Sequence, residues 1–205
     1  MKHEWRKHEK EIYLPKKEPK LVEIPNFNYF VISGEGNPND DDFADRVQAL
    51  YALSYAVKMS YKSDSVPDGY YEYTVYPLEG VWDLIDPSKG IVDKSNLKYD
   101  IMIRQPDFLT LELAEQFKVL VLKKKKLSLV EEVTFKTHTE GLCVQMLHLG
   151  SYDDEPASFD KMELFAKENN LQRVSKIHRE IYLTDPRKTA PEKLKTVLRF
   201  QANSL

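Results

Sequence analysis

Apolar and polar positions recur along this chain with two periods. Phe27 to Gly34 (Phe-Asn-Tyr-Phe-Val-Ile-Ser-Gly) is aromatic and β-branched and closes on Gly34 and Gly36, which predicts a strand. From Asp41 to about Met59 the period lengthens. Phe43, Val47, Leu50 and Val57 fall on one helical stripe, widened by Tyr51 and Leu53. Asn37 to Asp42 precede it, with short polar side chains suited to capping N–H groups and acids suited to the positive end of the helix dipole. Ser63 to Gly69 reads as a loop, and Tyr70 to Tyr76 as an aromatic strand that Pro77 to Trp82 continues past a bend. Polar residues 83–96, with Pro87 and Gly90, predict a loop; Leu97 to Gln105 predicts a strand closed by Pro106. Leu113, Phe117, Leu120 and Val121 place a helix over Leu109 to about Lys124, and Val130 to Lys136 reads as a short linking strand.

The second half replays the first. Leu142 to Gly150 is a strand, Asp153-Asp154-Glu155-Pro156 an acidic helix start, Phe159 to Asn169 a helix, and Lys176 to Leu183 a strand stopped by Thr184-Asp185-Pro186. Thr189 to Glu192 has capping-box spacing for one helical turn, and Lys195 to Gln201 is the last strand. Strand, acidic cap, helix, strand, strand therefore occurs twice. This predicts an α+β fold built from a tandem duplicated βαββ repeat, with antiparallel sheets, helices on one face and a ligand cleft between the repeats. The expected organisation is a single domain over 1–205. It has an N-terminal arm (1–25), a first repeat (26–106), a connecting helix and linker (107–136) and a second repeat (137–205).

Composition narrows the function. Lys and Arg number 30 against 33 Asp and Glu, a net charge of −3, which argues against bulk-charge binding to nucleic acid. One Cys, Cys143, excludes a disulfide framework or cysteine-rich zinc site and fits a reducing cytoplasm. The charged start, Met1 to Lys7, is no signal peptide, and the longest aliphatic run, Val119 to Leu122, is too short for a bilayer. No cofactor is expected. No metal is expected either: the Asp40 to Asp45 cluster lacks the central Gly of a calcium loop, and His148 and His178 have no third ligand in sequence. The Lys123 to Lys126 run suits the negative end of a helix dipole. The compositional excess is tyrosine, 12 residues beside nine Phe and two Trp.

Period-two alternation sorts the strand faces. Ile177, Ile181 and Leu183 read as core, with Arg179 the odd member, leaving Lys176, His178, Glu180 and Tyr182 on the open face. Leu147 and Leu149 read as core, leaving Met146 and His148 open; Tyr71 and Tyr73 share a face in the first repeat. The predicted ligand-binding set is Tyr71, Tyr73, Trp82, Met102, Met146, His148, Glu180 and Tyr182. Aromatic faces there stack on flat or cationic molecules, Met adapts to them, and Glu180 supplies a counter-charge.

Several long motifs resemble the stand-alone GyrI-like small-molecule-binding proteins. They are Tyr76-Pro77-Leu78-Glu79-Gly80-Val81-Trp82, Lys98 to Pro106, Val144 to Pro156, and His178-Arg179-Glu180-Ile181-Tyr182-Leu183-Thr184-Asp185-Pro186-Arg187. The resemblance implies the duplicated βαββ fold and a glutamate in the cleft that meets cationic ligands, here Glu180. No helix-turn-helix precedes the domain, so a transcription-regulator role is not carried over. Two activities follow from the resemblance. One is multidrug-type binding of lipophilic, often cationic aromatic compounds, with neither nucleic acid nor membrane as a direct partner. The other is hydrolysis of reactive cyclopropane-bearing DNA-alkylating toxins, with Glu180 as general base and Trp82 or a cleft tyrosine as its aromatic partner.

Overall fold

The computed structural model describes residues 2–63, 65–89 and 93–205. Gly90, expected in the 83–96 loop, and Asp64, expected in the 63–69 loop, lie outside the described residues. The chain runs α1 (Trp5–His8), α2 (Lys10–Tyr13), β1 (Lys20–Ile24), β2 (Phe27–Glu35), α3 (Asp41–Lys58), β3 (Leu78–Leu84), β4 (Leu97–Arg104), α4 (Leu111–Lys125), β5 (Thr134–His138), β6 (Gly141–Leu149), α5 (Glu155–Glu168), β7 (Leu171–Arg173), β8 (His178–Tyr182) and β9 (Lys195–Ser204). Strand, helix, strand, strand occurs twice, as β2-α3-β3-β4 and β6-α5-β8-β9, so the chain is α+β with the predicted duplication. Among the described residues no helix is long and apolar enough to cross a membrane.

Contacts divide the chain into two compact units. The first holds residues 1–4, 27–78 and 84–138. Its central strand β2 pairs antiparallel with β4 on one side and β5 on the other. Helix α3 packs on β2 and β4, and α4 packs on α3. Leu50, Leu53 and Val57 of the helix and Phe30, Ile32, Ile101 and Ile103 of the strands are fully buried. Thr110 caps α4 by accepting the Leu113 N–H, and Lys126 ends the helix in the left-handed conformation.

The second unit holds residues 5–26, 79–83 and 139–205. Its strands are ordered β1-β6-β9-β8-β3, all antiparallel, with β7 added along the end of β9. Helix α5 covers one face: Met162 and Ala166 pack on Val144, Met146, Leu198 and Phe200. The N-terminal arm covers the other face. Arg199 donates to the Ile12 carbonyl at 2.9 Å and Gln145 to the Glu11 carbonyl at 2.7 Å, while Trp5 and Tyr13 are buried against each other. That face carries a buried ionic network. Arg179 lies 2.7 Å from Glu79 and 2.9 Å from Glu140, and Arg199 lies 2.9 Å from Glu140. Burial alone pushes the Glu140 carboxyl up, but the two guanidiniums outweigh it and hold the group below its ordinary value.

Several sequence expectations are corrected here. Tyr70 to Tyr76 is not a strand: Tyr73 makes only an isolated bridge with His3. Its aromatic density marks a packed cluster, in which Tyr70, Tyr71 and Tyr73 ring Phe108 at 5.2, 5.6 and 6.2 Å. The N-terminal arm, expected over 1–25, contributes the edge strand β1. The 130–136 segment is a 3-10 turn over Ser128–Glu132 followed by β5. The turn at Pro191–Lys193 forms without the expected box, because Ala190, not Thr189, is its first flanking residue. The β6 faces are inverted: Met146 is core, and Leu149 is 38% exposed. The cause is the neighbouring strand, since β9 places Leu198 opposite Met146 and Phe200 opposite Val144, which makes that face the apolar one. Ile177 lies before β8 begins and is 42% exposed rather than core.

Removing Arg199 leaves the buried Glu140 carboxylate with only one of its two guanidinium partners. Arg199→Met is expected to cost about 3–5 kcal/mol, read as a lower urea midpoint at unchanged slope.

Candidate functional site

Strand β8 places His178, Glu180 and Tyr182 on one face, the face that α5 covers over β6 and β9. Antiparallel pairing sets Gly80 opposite Glu180 and Trp82 opposite His178 on one side, and Leu198 opposite Glu180 on the other. The result is a directed hydrogen-bond chain. The Trp82 indole N–H donates to the Tyr182 hydroxyl at 2.9 Å, and that hydroxyl donates to Glu180 Oε2 at 2.8 Å. His178 Nε2 lies 3.1 Å from Glu180 Oε1, and its ring packs edge-on to Phe159. Tyr152 meets the Tyr182 ring edge-on at 6.1 Å. Gly80 is what makes room: a Cβ there would stand 2.7 Å from the Trp82 indole nitrogen and 3.1 Å from the Tyr182 hydroxyl.

A second carboxyl completes the group. Glu155 opens α5, is buried to 6% exposure, and offers a carboxylate oxygen within 4.8 Å of the Glu180 carboxylate. Burial, then the Glu180 charge, pushes its carboxyl well above the ordinary 4.5, so it stays protonated where a free glutamate ionises. Burial and Glu180 likewise push the Tyr182 hydroxyl up, which keeps it a donor. Glu155, His178 and Glu180 offer one ligand atom each, all within 4.8 Å of one another, so this trio is where a divalent cation would find oxygen and nitrogen donors. The sequence pairs His178 with His148 and offers no third ligand; the fold sets His178 beside two carboxyl groups instead.

Of the predicted residues, Trp82, Glu180 and Tyr182 come together here. His148 is buried with both ring nitrogens engaged, Nδ1 with the Ser158 hydroxyl and Nε2 with the Ser151 carbonyl, each at 2.9 Å. Met146 packs in the core beneath α5. Tyr71, Tyr73 and Met102 belong to the first unit, where Tyr73 and Met102 are fully buried and Tyr71 is half-buried. Glu155 and Tyr152 were missed as site residues. Their signal was present as the acidic helix start, but it read as a cap and a helix entrance.

Residues 17–201 match the GyrI-like small molecule binding domain. The chain belongs to this family. No curated protein matches it. Among solved structures, this GyrI-like chain is similar to a hydrolase from Listeria innocua, at 34% identity over 98% of this chain and 100% of that one, with a TM-score of 0.91. It is similar as well to an uncharacterized conserved protein from Listeria innocua, at 35% identity over 98% of this chain and 100% of that one, TM-score 0.92. The EcmrR C-terminal domain shares the fold at 13% identity, TM-score 0.55, over 95% of this chain and 99% of that domain.

The raised Glu155 carboxyl has a stability consequence with a definite sign. Above pH 4.5 an unfolded chain releases this proton while the folded chain keeps it, so the folded state loses stability as pH rises through that window. Glu155→Gln is expected to remove this decline, so that the variant gains on the parent in thermal melts as pH rises from 4.5 toward neutrality.

Proposed function

We propose that this GyrI-like chain is a detoxifying hydrolase. It holds a flat, lipophilic electrophile against Trp82, Tyr152 and Tyr182 and adds water to it, the cyclopropane-bearing DNA-alkylating toxins being the substrate class. The observation that carries this reading is the buried Glu180 carboxylate. Tyr182 and His178 hold it in one orientation, beside aromatic rings and on a face largely shut off from solvent. The name "hydrolase" on a Listeria relative that matches end to end at 34% identity supports it.

In this chemistry Glu180 takes a proton from a water as the water oxygen bonds to a ring carbon of the strained cyclopropane. The ring bond to that carbon breaks, and its electron pair passes into the conjugated acceptor that activates the ring, which then takes up a proton. The product is the ring-opened alcohol, no longer an alkylator. A carboxylate oriented by two neighbours loses less entropy in reaching this geometry than a free one.

One feature of the site favours a second reading, multidrug-type reception of lipophilic cations without turnover. Two carboxyl groups, Glu155 and Glu180, stand beside three aromatic rings, and a cation gains from both the counter-charge and the ring faces.

Incubation with a cyclopropane-bearing alkylator, followed by detection of the water adduct, separates the two. Glu180→Gln is expected to lower turnover by roughly 10²–10⁴-fold with an unchanged melting curve. A variant as active as the parent sinks Glu180 as the base. Tyr152→Ala is expected to weaken binding of a cationic aromatic dye by about 1–2 kcal/mol, measured by fluorescence titration. An unchanged affinity removes Tyr152 from the binding surface.

A further inference from the structure

We propose that Glu155, His178 and Glu180 form a binding site for one divalent transition cation of the Zn²⁺ class, and that a cation held there withdraws Glu180 from use as a base. The second half of this statement rests on the hydrolytic reading of the same site; the first half stands without it.

A carboxylate removed from water needs a cationic partner or a metal. On one face of the second unit that need is met by guanidiniums: Arg179 serves Glu79 and Glu140, and Arg199 serves Glu140. On the other face it is not. Glu155 and Glu180 are 6% and 8% exposed, and neither pairs with a lysine or arginine among the described residues. Glu155 Oε1 has no hydrogen-bond partner there at all. A third acid, Asp153, acts on Glu155 from the turn before α5. A divalent cation supplies the positive charge that the protein leaves out.

The donors are already turned toward one another. Tyr182 donates to Glu180 Oε2 at 2.8 Å, which fixes the carboxylate and leaves Oε1 facing His178 Nε2 at 3.1 Å. His178 Nδ1 lies 3.3 Å from the Lys176 carbonyl, which can only accept. A neutral imidazole carries one N–H. Placed on Nδ1 toward that carbonyl, it leaves the Nε2 lone pair facing Glu180, as when a backbone carbonyl orients a metal-binding histidine. The three donor atoms are no more than 4.8 Å apart. A point central to them is therefore within about 2.8 Å of each, against zinc bonds of about 2.0–2.2 Å, and small side-chain rotations close the difference. One imidazole nitrogen selects Zn²⁺ and its neighbours over Mg²⁺ and Ca²⁺, which favour all-oxygen sets. A cation on Glu180 then engages the lone pair that would take a proton from water, so metal and base exclude each other.

The test uses the whole chain, stripped of metal by chelator and dialysed. Calorimetric titration with Zn²⁺ is expected to show one site per chain. His178→Ala and Glu155→Gln are each expected to weaken it at least 10-fold, with thermal melts confirming that both fold. In the parent itself, Zn²⁺ is expected to shift the NMR ring signals of His178 and leave His148, committed to Ser158 and Ser151, unmoved. No binding, binding that survives both substitutions, or an unmoved His178 overturns the site. With a cyclopropane-bearing alkylator, Zn²⁺ at ten times its dissociation constant is expected to lower turnover roughly 10-fold by mass action, and chelator to restore it. Turnover that is unchanged or raised by bound Zn²⁺ overturns the exclusion of the base. If the metal-free protein hydrolyses no alkylator, the hydrolase reading fails, and the calorimetry and His178 signals decide the cation site by themselves.

Discussion

A carboxylate taken out of water must find donors, and the candidate site is organised around that requirement at Glu180. Its two oxygens face the Tyr182 hydroxyl and the His178 imidazole, and the hydroxyl in turn accepts from the Trp82 indole. Each link depends on register. Strand β8 supplies His178, Glu180 and Tyr182 by simple alternation, and β3 brings Trp82 only because it pairs with Trp82 opposite His178. Gly80 then has to stay small, since the space a Cβ would take belongs to the indole and the hydroxyl.

The two faces of the second unit solve burial by different means. Beneath α5 the sheet is apolar, with Met146, Leu198 and Phe200 against Met162, and the polar group of Glu180, Glu155 and Tyr182 stands near the helix start. Beneath the N-terminal arm it is ionic: Arg179 and Arg199 are shared among Glu79, Glu140 and the backbone of the arm. Glu180 and Arg179 are adjacent in sequence yet face opposite environments, one acid kept near a second acid, one base enclosed by acids. A strand that alternates between these two faces can carry a buried carboxylate without neutralising it by its own neighbour.

Some of this was readable in the chain. The alternation of His178, Glu180 and Tyr182 was sufficient to place the three on one face, and the motif around Trp82 marked its strand. The same logic failed at Met146 and Leu149, because a strand pattern with apolar side chains at both parities does not say which face is covered. The answer lay in β9, where Leu198 and Phe200 chose the face. It failed also at Tyr70 to Tyr76, where aromatic residues were gathered by Phe108 and not by a ladder. Glu155 was visible only as part of an acidic helix start, since nothing local distinguishes a solvated capping acid from one folded against another carboxylate.

The sequence by itself determined the duplicated βαββ order, the family, and the strand face that the Glu180 carboxylate shares with His178 and Tyr182, because these rest on periodicities and motifs carried within single segments. Tertiary structure decided the company that carboxylate keeps. Tyr182 could be matched to Glu180 along one strand, but Trp82 reaches them across a register 100 residues away in the chain, and Glu155 reaches them from a helix start 25 residues upstream. Hydrogen bonding and orientation depend on distances of a few ångströms between segments, and those distances exist only after the strands have paired and the helix has docked.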